Sequence, residues 1–206
     1  MNIIVKPYGC SGCYCRPDTT WQRENKDLYV PDGIKTIRWA PVAFARISKA
    51  GKCINPKFVT RYYDSIGFGA MLYCHTEECD HAATIAFSSC MDHTSILPSP
   101  QHGPEVLEST DKTYQVMLNG TDSFNTELTG IRQEIEDGIC TSSRLTSLRI
   151  GDYVAVELSP VKSLSSGTED ETLMQGDFDE KSIFDFKVIF LETGISGGCG
   201  WHEFGM

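Results

Sequence analysis

From Thr36 to Ile47 the chain is apolar at nearly every position, and this predicts a buried strand rather than a surface strand of alternating character. Pro41 interrupts it without a backbone N–H to give, which predicts an edge position or a bulge. Residues 56 to 65 read as a short helix, with Phe58, Tyr62 and Ser65 at helical spacing and Gly67 and Gly69 closing it. Thr113 to Leu118 reads as a strand stopped by the turn signal Asn119-Gly120, with a long connection after it. From Glu127 onward Leu128, Ile131, Ile135 and Ile139 recur at intervals of three and four, which places them on one face of an amphipathic helix closed near Gly138. Tyr153 to Leu158 and Ile183 to Leu191 supply two more strands, separated by a polar segment from Ser163 to Glu180.

These elements predict an α+β, β-dominated chain: a mixed β-roll with a few short helices. Residues 1–192 read as a single domain, with no repeat or composition shift to divide them, and 193–206 as a glycine-rich flexible tail. A length of 206 residues suits one hydrophobic core. With 18 basic against 28 acidic residues the net charge is −10, which argues against nucleic acid and anionic membranes as partners. The N-terminal apolar run is cut by Lys6-Pro7 and reads as no export signal, and no apolar stretch reaches the ~20 residues of a membrane helix. The expected location is the cytoplasm. There, nine cysteines read as free thiols or metal ligands rather than disulfides.

The order and spacing of several motifs carry a family likeness. Arg46-Ile47, Gly51-Lys52 and Arg61-Tyr-Tyr-Asp64 follow the buried strand, Arg16-Pro-Asp-Thr19 precedes it, and Thr146-Ser-Leu-Arg-Ile-Gly-Asp152 leads into Tyr153-Val-Ala-Val-Glu157. Over roughly residues 1 to 190 this resembles bacterial fumarylacetoacetate hydrolase-like proteins. The resemblance implies a β-rich fold, usually a homodimer, and a magnesium- or manganese-dependent site acting on acylpyruvates or related oxo-acids. The family's Glu-x-Glu falls on Ala40 and Val42, and its metal-binding aspartate on Met71. Ile85 replaces a family lysine, and Glu157-Leu-Ser-Pro160 replaces its Thr-Gly-Thr-Pro loop. The family's Gly-Arg-Asn-Tyr element has no counterpart in Lys6-Pro-Tyr-Gly-Cys10. Neither an aliphatic chain nor a thioether can replace a carboxylate as a ligand for a hard cation, so magnesium or manganese is not expected.

Against that background the expected function is that of a non-catalytic relative, a small-molecule-binding or structural homo-oligomer with Arg16, Thr19, Ala40, Val42, Met71 and Ile85 around the old pocket. Arg16 at such a rim would suit a small carboxylate ligand. Arg46 and Arg61 are further candidates for that rim. A second expectation keeps catalysis but relocates it to other residues. A third is a zinc-stapled binding module, with Cys10, Cys13 and Cys15 joined by Cys74, His75, Cys79 and His81, spacings that suit a borderline-soft ion. Cys10 and Cys13 could also form a redox pair. Asp92-His-Thr-Ser95 puts a carboxylate, an imidazole and hydroxyls close in sequence, which reads as a locally hydrogen-bonded loop.

Overall fold

The structure is a computed structural model that describes residues 1–75, 86–99, 101–166 and 171–190. Two sheets make up most of it. The larger contains β1 (Asn2–Lys6), β2 (Tyr14–Pro17), β3 (Trp21–Gln22), β5 (Thr36–Ile47), β6 (Tyr63–His75), β7 (Ser95–Ile96) and β10 (Tyr153–Glu157), in the order β2-β1-β10-β5-β6-β7-β3, with β11 (Lys162–Ser166) also paired to β5. The smaller contains β4 (Leu28–Val30), β8 (Thr113–Leu118), β9 (Thr121–Glu127), β12 (Glu171–Phe178) and β13 (Lys181–Phe190), in the order β4-β13-β12-β8-β9. The β1–β10, β3–β7 and β4–β13 pairings are parallel and the others antiparallel, so both sheets are mixed.

The larger sheet is curled into an almost closed roll. Its two ends, β2 and β3, are joined by only Asp18–Thr20, which forces those edges together. Strand alternation then divides the side chains between an inner and an outer face. The inner face holds Ile3, Val5, Val42, Phe44, Met71, Tyr153 and Ala155 in one buried cluster. The outer face, with Ile4, Trp39, Ala43, Phe68, Leu72 and Val154, joins the main core beneath the smaller sheet and helix α1 (Ile131–Leu145). Phe68 stacks on Phe178 at 4.7 Å, and the Tyr114 hydroxyl of β8 donates to the Gly69 carbonyl at 2.6 Å, which ties the sheets together. No helix among the described residues is long and apolar enough to cross a membrane.

The β-dominated α+β class is as the sequence implied, but several boundaries differ. Only Pro56–Arg61 is helical in the 56–65 segment, as a 3-10 turn capped by Asn55, and β6 begins at Tyr63. Gly67 and Gly69 lie inside β6, where packing requires the absence of a Cβ: the Phe44 ring covers one and the Ile96 carbonyl crowds the other. The expected long connection after Asn119-Gly120 is a tight hairpin into β9, and the polar 163–180 segment contributes β11 and β12, whose alternation the loop-like composition concealed. Helix α1 runs to Leu145 rather than ending near Gly138.

Pro41 is on neither an edge nor a bulge; β5 is central and is paired on both sides. The β10 pairing ends at Val42 and the β11 pairing starts at Trp39, so Pro41 stands where one neighbour hands over to the other. Its carbonyl accepts from Leu158 N–H at 2.9 Å, and in an antiparallel strand the missing N–H points the same way, toward Leu158 and away from β6. The proline therefore leaves the β6 ladder whole and removes one bond just beyond the end of the β10 ladder.

Gly138 permits the closest approach of α1 to the roll, because a Cβ there would lie 2.5 Å from Val156 Cγ1. Helix propensity alone favours Gly138→Ala by about 1 kcal/mol. Overpacking costs roughly 1–3 kcal/mol, so a net loss in urea unfolding is the expected result, and a gain would show that the helix can shift freely.

Candidate functional site

The inner face of the roll is where the sequence resemblance places a metal site. Ala40 on β5 lies directly opposite Met71 on β6, Val42 lies two residues along on the same face, and all three have 0% of their surface exposed. Around them Ile3, Val5, Phe44 and Leu97 fill the roll, and Tyr153 packs edge-on against Phe44 and Trp21. This is a buried, apolar interior.

The polar residues of the interior gather at one end. Arg16 is fully buried and spans the seam where the roll closes. Its Nη1 donates to the Thr94 carbonyl and Oγ1, both at 3.2 Å, and its Nη2 donates to the Leu72 carbonyl at 3.0 Å. Thr20 Oγ1 and Ser95 Oγ, 2.8 Å apart, close the seam beside it. Among the described residues no carboxylate forms a salt bridge with Arg16; the guanidinium instead lies over the Tyr73 ring at 4.7 Å and the Tyr14 ring at 5.8 Å. Burial pushes its pKa down, Tyr14 and Tyr73 push it up, and the net direction is upward.

From Arg16 a hydrogen-bonded chain runs outward with a fixed direction. The Tyr73 hydroxyl donates to Glu157 Oε1, so the Tyr14 hydroxyl, 2.7 Å away, must donate to Tyr73. Arg16 Nη2 in turn donates to the Tyr14 oxygen at 3.4 Å. Burial first, then Tyr14 and Glu157, against the opposing pull of Arg16, hold the Tyr73 pKa well above its usual range, so Tyr73 is a neutral donor. Glu157 Oε2 accepts the Tyr8 backbone N–H at 2.9 Å. Glu157 pairs with Val42 in the β10–β5 register and borders a 910 Å³ cleft between the Lys6–Ser11 loop and α1.

Other residues singled out in the sequence are scattered. Thr19 is exposed, and its carbonyl accepts from His93 N–H. Arg46 is exposed beside Asp64 at 3.9 Å, and Arg61 lies over Phe58. Thr94 Oγ1 donates to the Met91 carbonyl, which is the locally bonded loop expected of Asp92–Ser95. Cys10 and Cys15 are exposed, whereas Cys74 is buried, donates to Met91 Sδ at 3.1 Å, and has its thiol pushed up to about 12 by burial. Burial, then Cys13 and Asp152, also raises the Cys15 thiol, which disfavours its thiolate. His75 ends β6 in solvent. Among the described residues no three His, Cys, Asp or Glu side chains are gathered as a metal ion would need. Cys79, His81, Ile85 and the 193–206 tail lie outside the described residues.

Comparison with known proteins bears on the fold. No family model matches the sequence, and no curated protein matches it. Solved structures do match. A protein assigned to the fumarylacetoacetate hydrolase family from Yersinia pestis superposes with a TM-score of 0.70 over 91% of this chain and 92% of its own, at 14% identity. The chain has the fold of the fumarylacetoacetate hydrolase family. Fumarylpyruvate hydrolase from Pseudomonas aeruginosa, crystallised with Mn2+ and pyruvate, matches with a TM-score of 0.71 at 12% identity, over 93% of this chain and 90% of that one. Maleylpyruvate hydrolase from Sphingobium gives 0.67 at 13% identity, over 92% and 70%.

A divalent cation does not fit the fumarylacetoacetate hydrolase-like roll of this chain. Ala40, Val42 and Met71 offer two hydrocarbons and a thioether, with no oxygen donor, inside a close-packed cluster. Sequence reading missed the Tyr14–Tyr73–Glu157 chain. Alternation could have found it, since Tyr14 with Arg16, Met71 with Tyr73, and Ala155 with Glu157 share faces of their strands.

Proposed function

We propose that this protein is a fumarylacetoacetate hydrolase-fold relative without metal-dependent catalysis, acting as a homo-oligomeric small-molecule-binding protein. The observation that carries the reading is the filled roll: the residues aligned with the family's ligands are fully buried among Ile3, Val5, Phe44 and Leu97. In this fold family a divalent ion would polarise an oxo-acid and stabilise the developing enolate, several kcal/mol of transition-state stabilisation that these residues have no means to recruit. What survives for binding is the cleft beside Glu157, since Arg16, the cation expected to meet a small carboxylate, is consumed in closing the roll.

The test is turnover of fumarylpyruvate and oxaloacetate by the purified, tag-free protein with added Mg2+ or Mn2+. The expected outcome is no rate above the uncatalysed reaction and no rise in melting temperature, because a ligand stabilises only the state that binds it. Turnover that follows Mn2+ would sink the reading. Turnover lost on substituting Glu157 but indifferent to metal would favour the alternative of relocated catalytic residues. Stoichiometric zinc in the protein, with a melting temperature lowered by chelation, would instead favour the zinc-stapled module.

A further inference from the structure

We propose that the cleft beside Glu157 is a binding site for an ammonium-bearing small molecule with an apolar body, the opposite charge preference from the oxo-acids of the fold family. The inference rests on the binding reading above and gives that site a ligand class.

Glu157 is the anchor. It is 6% exposed, yet it borders the 910 Å³ cleft. Among the described residues each carboxylate oxygen has one protein donor, Tyr73 for Oε1 and the Tyr8 N–H for Oε2, which leaves each an acceptor site for a further donor. Those two donors fix its orientation, and the chain back through Tyr14 to buried Arg16 fixes Tyr73 in turn. A carboxylate held this way loses little entropy when a ligand arrives. A buried negative charge with open acceptor sites is matched by a compact cation carrying N–H groups.

The surrounding wall supports the same class. Lys6, the cation nearest in sequence to this part of the cleft, is paired with Glu134 at 3.2 Å. Arg144 lies in the last turn of α1, seven residues beyond Asp137 and so about 10 Å along the axis. Asp137 adds a second carboxylate to the lining, and Tyr8, 52% exposed, lines the same cleft with an aromatic side chain, a residue type that favours a cation. Pro7, Ile131 and Leu158 supply apolar surface for the body of the ligand.

The experiment uses two probes of like shape and opposite charge, 2-phenylethylamine and 3-phenylpropionate, with the full chain in calorimetry and thermal unfolding and no metal added. The amine is expected to bind and raise the melting temperature, and the carboxylate to do neither. In Glu157→Gln, which keeps an acceptor for Tyr73 or Tyr8 but not the charge, amine affinity should fall at least about tenfold, the scale of one charge-assisted contact. Equal or tighter binding of the carboxylate overturns the proposal, as does amine affinity unchanged in Glu157→Gln. No amine binding at about 10 mM also overturns it, being weaker than a specific site requires. If Glu157→Gln does not fold, the charge-reversed probes decide the matter on the unaltered chain. Metal-dependent turnover would count against the non-catalytic reading alone, whereas these outcomes bear on the cleft.

Discussion

Val42→Glu is expected to cost the fold about 3–5 kcal/mol at neutral pH, the range for an uncompensated buried charge. Val42 is wholly inaccessible among apolar side chains, and among the described residues that cluster holds no cation to pair with a new carboxylate. The interior would hold the introduced glutamate protonated, raising its folded pKa above the unfolded value of about 4.3. Below that value both states are neutral and the penalty is one of size and unmet hydrogen bonds. Above it the unfolded chain releases a proton that the folded chain keeps, so the variant loses stability relative to the wild type as pH rises from about 4 to about 7. Urea unfolding of both proteins across that window checks the sign. A penalty independent of pH, or one relieved by Mn2+ alone, would mean that the roll still admits water or metal.

Arg16→Met is expected to lose a further comparable amount, about 3–5 kcal/mol, for a different reason. Beyond Met71, β7 has ended, so the Leu72 carbonyl has no ladder partner on that side and is satisfied by Arg16 Nη2. Methionine would leave that buried carbonyl unbonded at about 1–3 kcal/mol, would remove a donor from the Thr94 carbonyl, and would strip the Tyr14–Tyr73 pair of its cation. Arg16→Lys should recover only part of the loss, since one ammonium cannot reproduce the two-pronged reach to both Thr94 and Leu72. Chemical denaturation of both variants, with tryptophan fluorescence from Trp21 at the seam, reads the effect. Wild-type stability in Arg16→Met would show that the seam closes without it.

The two predictions concern opposite halves of one change. Where the family resembled by this sequence carries carboxylates around a cation, this chain has the buried apolar side chains of Ala40, Val42 and Met71 and an internal organic cation at Arg16. Among the described residues that cation is linked to a carboxylate, Glu157, through two tyrosines.

The sequence by itself determined the β-dominated class, the buried strand at Thr36–Ile47 and the apolar face of α1, because each depends on local periodicity. It could not place Gly67 and Gly69, which read as helix stops until Phe44 and Ile96 were seen to occupy the space of their missing side chains. It misplaced Pro41 as an edge residue because the handover from β10 to β11 pairs strands remote in sequence. It put Arg16 at a pocket rim, when closure of β2 against β6 and β7 buries it. The tertiary structure alone decided these, and with them the linking of Tyr14, Tyr73 and Glu157 beside the cleft, because alternation assigns each to a face of its strand whereas only long-range pairing joins residues 59 and 84 positions apart.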